Sequence, residues 1–288
     1  MSPHPGPGES LILAIDVGSS SVKAGLVDGA GRLVGTGSAA QHTYEDATGR
    51  REHEPAETWR AIVRSIRRVV DGRASRVAAI SVTGPRGTFA ILGPDGRPRS
   101  RFLTWQDRRA AARAAQLAAS SGDGFRATTG VGLDPSTVLP KLVWLREDAP
   151  EVVNGDWRIV TPQSDALVRL GAPDHVVDLT VAGHIGLLDV ATLTWDAGLL
   201  QAFDVPVTAL PRLVAPGDVV GHLGHQVARR LGLREGIPLV AAGSDGICSE
   251  LGAGVTEPGQ CYAYLGTASA IGGPLAEPVL PADPGLIL

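Results

Sequence analysis

The segment Asp16-Val17-Gly18-Ser19-Ser20-Ser21-Val22-Lys23 gathers a carboxylate, a glycine, three hydroxyls and a cation within eight positions. It closes an apolar run rich in strand formers, residues 11–16, so the carboxylate stands at a strand end. Gly18 permits a tight turn, and backbone N–H groups and serine hydroxyls in such a turn can converge on phosphate oxygens. Asp16 could then hold the hydrated metal that travels with ATP. The alternative is an ordinary β-hairpin whose turn is rich in serine. A second acidic turn, Gly243-Ser244-Asp245-Gly246, follows the strand-like residues 238–242. On its own, Asp245 reads best as a cap for the helix that starts near Gly246. A third small turn, Gly266-Thr267-Ala268-Ser269, follows the strand-like residues 261–265.

Several elements must position these turns. Residues 11–16, 22–27 and 32–38 read as an antiparallel meander, its second turn marked by Asp28-Gly29-Ala30-Gly31. Glu54-Pro55 opens a helix in which Trp59, Ile62, Val63, Ile66, Val69 and Val70 recur at helical spacing, a stripe suited to packing on a sheet. Residues 77–82 form a buried-strand pattern, 107–119 an Ala- and Arg-rich helix, and 141–146 part of another helix ending near Pro150. Strands first, then helices crossing between strands, predict an α/β domain with a mixed sheet.

A hydrophobic fraction of 43% and a charged fraction of 19% over 288 residues supply a packed core and argue against disorder. The net charge of −4, without a long run of one sign, gives no electrostatic reason to expect nucleic acid or an anionic membrane as partner. The seven His are scattered, and Cys248 and Cys261 form no CxxC pair, so neither a metal cluster nor a disulfide framework is expected. The Pro- and Gly-rich residues 1–9 lack the order of a signal peptide and read as a disordered tail. No apolar run reaches the ~18 residues that span a bilayer. A soluble, cytoplasmic protein is expected. Lys23 and Lys141 are the only lysines in a chain rich in Arg.

The Asp16 turn with the meander behind it resembles the first phosphate motif of the actin, Hsp70 and sugar kinase superfamily. Further segments narrow the resemblance to the FGGY carbohydrate kinases. These are His53-Glu54-Pro55 with Trp59, residues 80–92 followed by Asp95-Gly96-Arg97-Pro98 and Trp105-Gln106-Asp107-Arg108-Arg109, and Lys141-Leu142-Val143-Trp144-Leu145 followed by Pro150-Glu151. Residues 163–170, 178–182, 187–189 and 195–196 continue it. So do Leu210-Pro211 and the approach from Gly232 through Pro238 to Gly243-Ser244-Asp245. Together they cover the chain from Leu11 to about Gly273.

The resemblance implies an actin-like ATPase (ribonuclease H-like) fold, with a mixed five-stranded sheet and flanking helices. It implies Mg-ATP as donor and a sugar or polyol as acceptor, with a homodimer as an expectation for assembly. Asp245 matches the general base and Asp16 the metal-linked aspartate, acting through water. Gly18, Ser19, Ser20 and Lys23 match the first phosphate motif. Gly266 and Thr267 match the second, where Ala268 departs from the usual Gly-Thr-Ser. Trp105, Asp107 and Arg108 match the substrate-binding block; the plainer readings are a core Trp and a helix-capping Asp. Arg86 resembles the glycerol-type arginine, but Gly87 removes its acidic neighbour, and Ser136 falls where glycerol kinases place a Tyr. A ketopentose such as xylulose is the favoured acceptor. The expected organisation is residues 10–237 as the first kinase domain and 238–288 as the truncated start of the second, without the adenosine site. Such a chain would do little catalysis alone, and a sugar-binding remnant is the alternative function.

Overall fold

The computed structural model describes residues 10–265, 269–277 and 279–280. The predicted meander is β1 (Leu11–Val17), β2 (Ser21–Asp28) and β3 (Leu33–Ala40), paired antiparallel in that order. Along β1, Leu11, Leu13, Ile15 and Val17 are buried while Ile12 is exposed, the two-residue alternation of a strand with one face on a core. Helix α1 (Pro55–Val70) follows, and then β4 (Val77–Thr83), which pairs parallel with β1. Later come α2 (Ala111–Thr129), α3 (Val138–Asp148), α4 (Pro162–Leu170), β5 (Val219–His222), β6 (Pro238–Ala241) and α5 (Asp245–Gly252). The main sheet runs β5-β6-β4-β1-β2-β3. The five expected strands are thus present, and β5 adds a sixth, antiparallel to β6 at the edge.

Strand β6 pairs parallel with β4, matching Leu239 with Ile80 and Ala241 with Val82. The domain boundary expected after residue 237 therefore falls inside the first sheet. A strand distant in sequence can complete a sheet that local composition cannot assign it to. The register also matches Asp16 with Thr83. The carboxyl ends of β1, β4 and β6 are therefore level, and the turns after them leave the same edge, where open α/β sheets bind ligands.

The stripe on α1 faces the sheet as predicted: Trp59, Ile62, Val63, Ile66, Val69 and Val70 are all buried. Ser65 Oγ donates to the Val22 carbonyl at 3.0 Å, and a Cβ on Gly37 of β3 would lie 2.5 Å from the Ser65 carbonyl. Glycine at 37 is what lets the helix lie this close. Ile66→Ala is expected to lower unfolding stability by ~2–5 kcal/mol through the cavity it leaves. Urea unfolding would check this, with an unchanged midpoint as the contrary result. A second apolar cluster, with Phe89, Leu103, Phe125, Leu139, Leu142 and Ile159, packs around α2 and α3.

Helix α2 begins at Ala111 rather than near 107. Residues 104–110 form turns instead, with Asp107 N–H donating to the Thr104 carbonyl and Ala111 N–H to the Arg108 carbonyl. A hairpin of residues 262–265 and 269–272 pairs only with itself among the described residues and leaves Tyr264, Leu265 and Ile271 exposed. Among the described residues no helix is long and apolar enough to cross a membrane.

Candidate active site

The three level strand ends bring the predicted acidic residues together. Asp16 is the last residue but one of β1, and Asp245 starts α5 three residues after Ala242, whose N–H donates to the Val82 carbonyl. Asp245 N–H donates to the Gly84 carbonyl at 3.0 Å, which fixes the second turn to the end of β4. Thr83 Oγ1 donates to the Gly243 carbonyl at 2.5 Å, and Gln163 Nε2 donates to the carbonyls of Val82 (2.9 Å) and Ala242 (2.7 Å). The cap position of α5 belongs to Ser244, so Asp245 is not the helix cap that its local sequence suggested. Among the described residues its carboxylate accepts only the Gly246 N–H, at 2.8 Å.

Burial raises the pKa of Asp245, and the nearby Asp16 charge raises it further, while the Gly246 hydrogen bond, Arg86 and Lys23 pull it down. A partly desolvated carboxylate with a raised pKa is a better proton acceptor than an exposed one. Asp16 Oδ2 takes a 3.3 Å ion pair from the exposed Lys23, and its buried Oδ1 has no partner among the described residues. No group of three His, Cys, Asp or Glu among the described residues could enclose a metal. One carboxylate with a spare oxygen suits Mg²⁺, which keeps several waters and leans on one or two carboxylates plus phosphates. The residues fit that ion.

Gly18, Ser19 and Ser20 form the turn between β1 and β2. Gln41 clasps it twice: its N–H donates to the Ser20 carbonyl at 3.0 Å and its Nε2 to the Gly18 carbonyl at 2.8 Å. The same Nε2 reaches His53 Nδ1 at 3.1 Å, and His53 Nε2 meets Thr43 Oγ1. Burial, helped by His42, holds His53 neutral with a pKa of about 4. With Nδ1 accepting, the proton sits on Nε2. Nothing in the sequence marked Gln41; its role arises from a contact 23 residues away. Trp105 Nε1 donates to Ser19 Oγ at 3.1 Å, linking the predicted sugar block to the phosphate turn.

Arg86 is half-buried and makes no hydrogen bond or ion pair to another described side chain, though the charges of Asp245 and Glu250 act on it. Burial pulls its pKa down and those two carboxylates push it back up. Its guanidinium is thus near enough to the candidate base for the two charges to act on each other. Gly87 has φ +68°, and a Cβ there would meet the Ser136 carbonyl at 2.1 Å and His184 Cδ2 at 3.1 Å. His184 is buried, bonds Ser136 Oγ at 3.0 Å through Nε2, and is held neutral near 4 by burial and the Arg86 charge.

Two predicted residues are placed otherwise. Asp107 is fully buried, and both its oxygens are engaged by Arg109, with the N–H of Arg51 also donating to Oδ2. These protein donors occupy both oxygens and fasten the loop. Arg108 is exposed and it is Arg109, which also pairs with Glu52, that carries the charge inward. Gly266 and Thr267 lie outside the described residues. A separate open groove of about 780 Å³, between Arg146, Trp157, Trp195 and Leu200, contains none of the predicted site residues.

Residues 11–252 match the N-terminal domain of the FGGY family of carbohydrate kinases. A glycerol kinase from Thermococcus kodakarensis is 28% identical over 270 residues, covering 91% of this chain and 53% of the relative. A ligand-bound xylulose kinase structure from Lactobacillus acidophilus superposes with a TM-score of 0.87 at 25% identity, over 96% of this chain and 58% of that one. A gluconate kinase structure from the same organism gives 0.85 at 26% identity, over 91% and 54%. The chain spans about half the length of the curated relatives it matches.

Proposed function

From a chain that belongs to the FGGY family of carbohydrate kinases, we propose the acceptor side of an ATP-dependent sugar or polyol kinase with Asp245 as general base. What carries this reading is the convergence of Asp16, Asp245 and Arg86 at one sheet edge, where the charges of Asp16 and Arg86 act on Asp245. The acceptor hydroxyl gives its proton to the Asp245 carboxylate. Its oxygen then attacks the γ-phosphorus of ATP, the bond to the bridging oxygen breaks, and ADP leaves. The Ser19–Ser20 turn, clasped by Gln41, orients the phosphates. Asp16 would hold Mg²⁺ through water, and the bound ion would offset the phosphate charge. Arg86 and Trp105 orient the acceptor. We assign Asp107, Arg108 and Arg109 to the wall behind them, and extend the first domain through α5.

For the acceptor, a ketopentose such as xylulose stays the first choice. Gly87 supports it against glycerol: with the Ser136 carbonyl in the way, the acidic neighbour of the glycerol-type arginine has no room. Gly87→Glu is therefore expected to destabilise the fold by ~1–3 kcal/mol through overpacking, without conferring glycerol binding. Thermal unfolding and glycerol calorimetry would check this, and a stable, glycerol-binding variant would refute it. The function is tested by calorimetry with ATP and by ADP release against D-xylulose, glycerol and D-gluconate. Since the chain spans about half of its relatives, we expect the 288 residues alone to bind ATP weakly and release little ADP. No sugar-dependent ADP release at the relatives' full length would overturn the kinase reading.

A further inference from the structure

Lys141 lies on α3 with no exposed surface, yet it carries an ammonium group. Its Nζ donates to the carbonyls of Gly87 at 2.8 Å, Thr104 at 2.8 Å and Ser136 at 3.4 Å. These acceptors belong to three separate loops: the one leaving β4, the one entering α2 and the one entering α3. Each loop carries a wall of the acceptor site. Arg86 precedes Gly87, Trp105 follows Thr104, and Ser136 bonds His184. In a chain that otherwise takes its positive charge almost wholly from Arg, a Lys stands here. A compact ammonium offers three divergent N–H bonds to three carbonyls, which a planar guanidinium in a closed pocket does not.

We propose that Lys141 is the positioning residue of the acceptor site, fastening the Gly87, Thr104 and Ser136 loops at one point so that Arg86, Trp105 and His184 keep a fixed arrangement. That these loops face the acceptor rests on the kinase reading above; the fastening does not. Trp105 also bonds Ser19, so the same point steadies the approach to the phosphate turn. Loss of the ammonium would take this donor from the Gly87 and Ser136 carbonyls, leave Thr104 with the Asp107 N–H alone, and free the loops from one another.

Burial pushes the pKa of Lys141 down to about 7. Asp107 and Asp134 pull it up, Arg108 and Arg109 push it down, and buried His184, near 4, stays neutral over the neutral range. Above that point the amine has two N–H groups for three carbonyls, and the longest contact, to Ser136, is the one given up.

Amide hydrogen exchange on the whole 288-residue chain tests the fastening without any ligand. In Lys141→Met, protection at Thr88, Trp105, Ser136 and Thr137 is expected to fall by about tenfold, with β1 and β4 unchanged. Unchanged protection in the three loops, or an equal loss across the sheet, would overturn the proposal. Should the variant not fold, the unsubstituted chain decides. With intrinsic exchange rates divided out, protection at Ser136 and Thr137 falls as pH rises from about 6 to about 8 while Thr88, Trp105 and the sheet hold; a flat profile at Ser136 and Thr137 overturns it. Calorimetry with D-xylulose, glycerol and D-gluconate tests the link to the acceptor. Whichever sugar the unsubstituted chain binds, Lys141→Met should bind about tenfold more weakly, and equal affinity counts against positioning. If no sugar binds, the acceptor reading fails, and the exchange data still decide whether Lys141 fastens the loops.

Discussion

Asp245→Asn is expected to leave acceptor binding largely intact while lowering sugar-dependent ADP release by ~10²–10⁴-fold, the usual effect of removing a general base. The amide keeps the shape and the Gly246 hydrogen bond but cannot take the hydroxyl proton. The measurement is made at the length of the relatives, with kcat and KM separated. A variant turning over near the unsubstituted rate would remove Asp245 from the chemistry. Stability should move the other way. Because the folded-state pKa of Asp245 is raised, the native chain binds more protons than the unfolded chain between the ordinary Asp value and the raised one. Stability therefore falls as pH rises through that window. Above it, the fold carries an ionised, partly desolvated carboxylate, which asparagine removes. Asp245→Asn is thus expected to unfold at a higher temperature than the unsubstituted chain at neutral pH, and at a similar temperature in acid. A lower Tm at neutral pH would show that the carboxylate is not held against desolvation.

Asp16→Asn is the second large effect. A carboxylate that holds a metal through water typically sets its affinity by ~10–100-fold, so the Mg²⁺ concentration for half-maximal ADP release should rise by about that factor. The same change removes a negative charge that raises the Asp245 pKa. The acidic limb of the pH–rate profile should therefore shift to lower pH. The coupled outcome separates this arrangement from a plain loss of structure, which would lower activity without moving the limb. An unmoved limb with unchanged Mg²⁺ dependence would place Asp16 outside the site.

Much of this site is legible in the sequence because its parts are local. The alternation in β1, the stripe on α1 and the Gly-Ser turn after Asp16 are each set within a few residues by strand pleat, helix pitch and turn chemistry. The order of weak motifs along the chain then carries the family resemblance, and residues 11–252 match that family. Local reasoning fails where a residue's partner is distant. The sequence reads Asp107 and Arg108 alike as sugar-facing, yet Asp107 is taken up by Arg109 and the Arg51 amide, 56 residues away. Helix α2 starts at Ala111, later than its alanines suggest.

What the sequence by itself determined is the meander, the α1 stripe and the chemical types at the turns: a carboxylate near the end of β1, another after β6, and hydroxyls and glycines around them. The tertiary structure alone decided which of these share an environment. Parallel pairing of β1, β4 and β6 levels their ends and sets Asp16 and Arg86 near Asp245. Packing closes the space above Gly87 and buries Lys141 among three loop carbonyls. The reason is physical. Desolvation and charge coupling depend on distance in space, and no spacing along the chain encodes a distance that strand register and packing have yet to set.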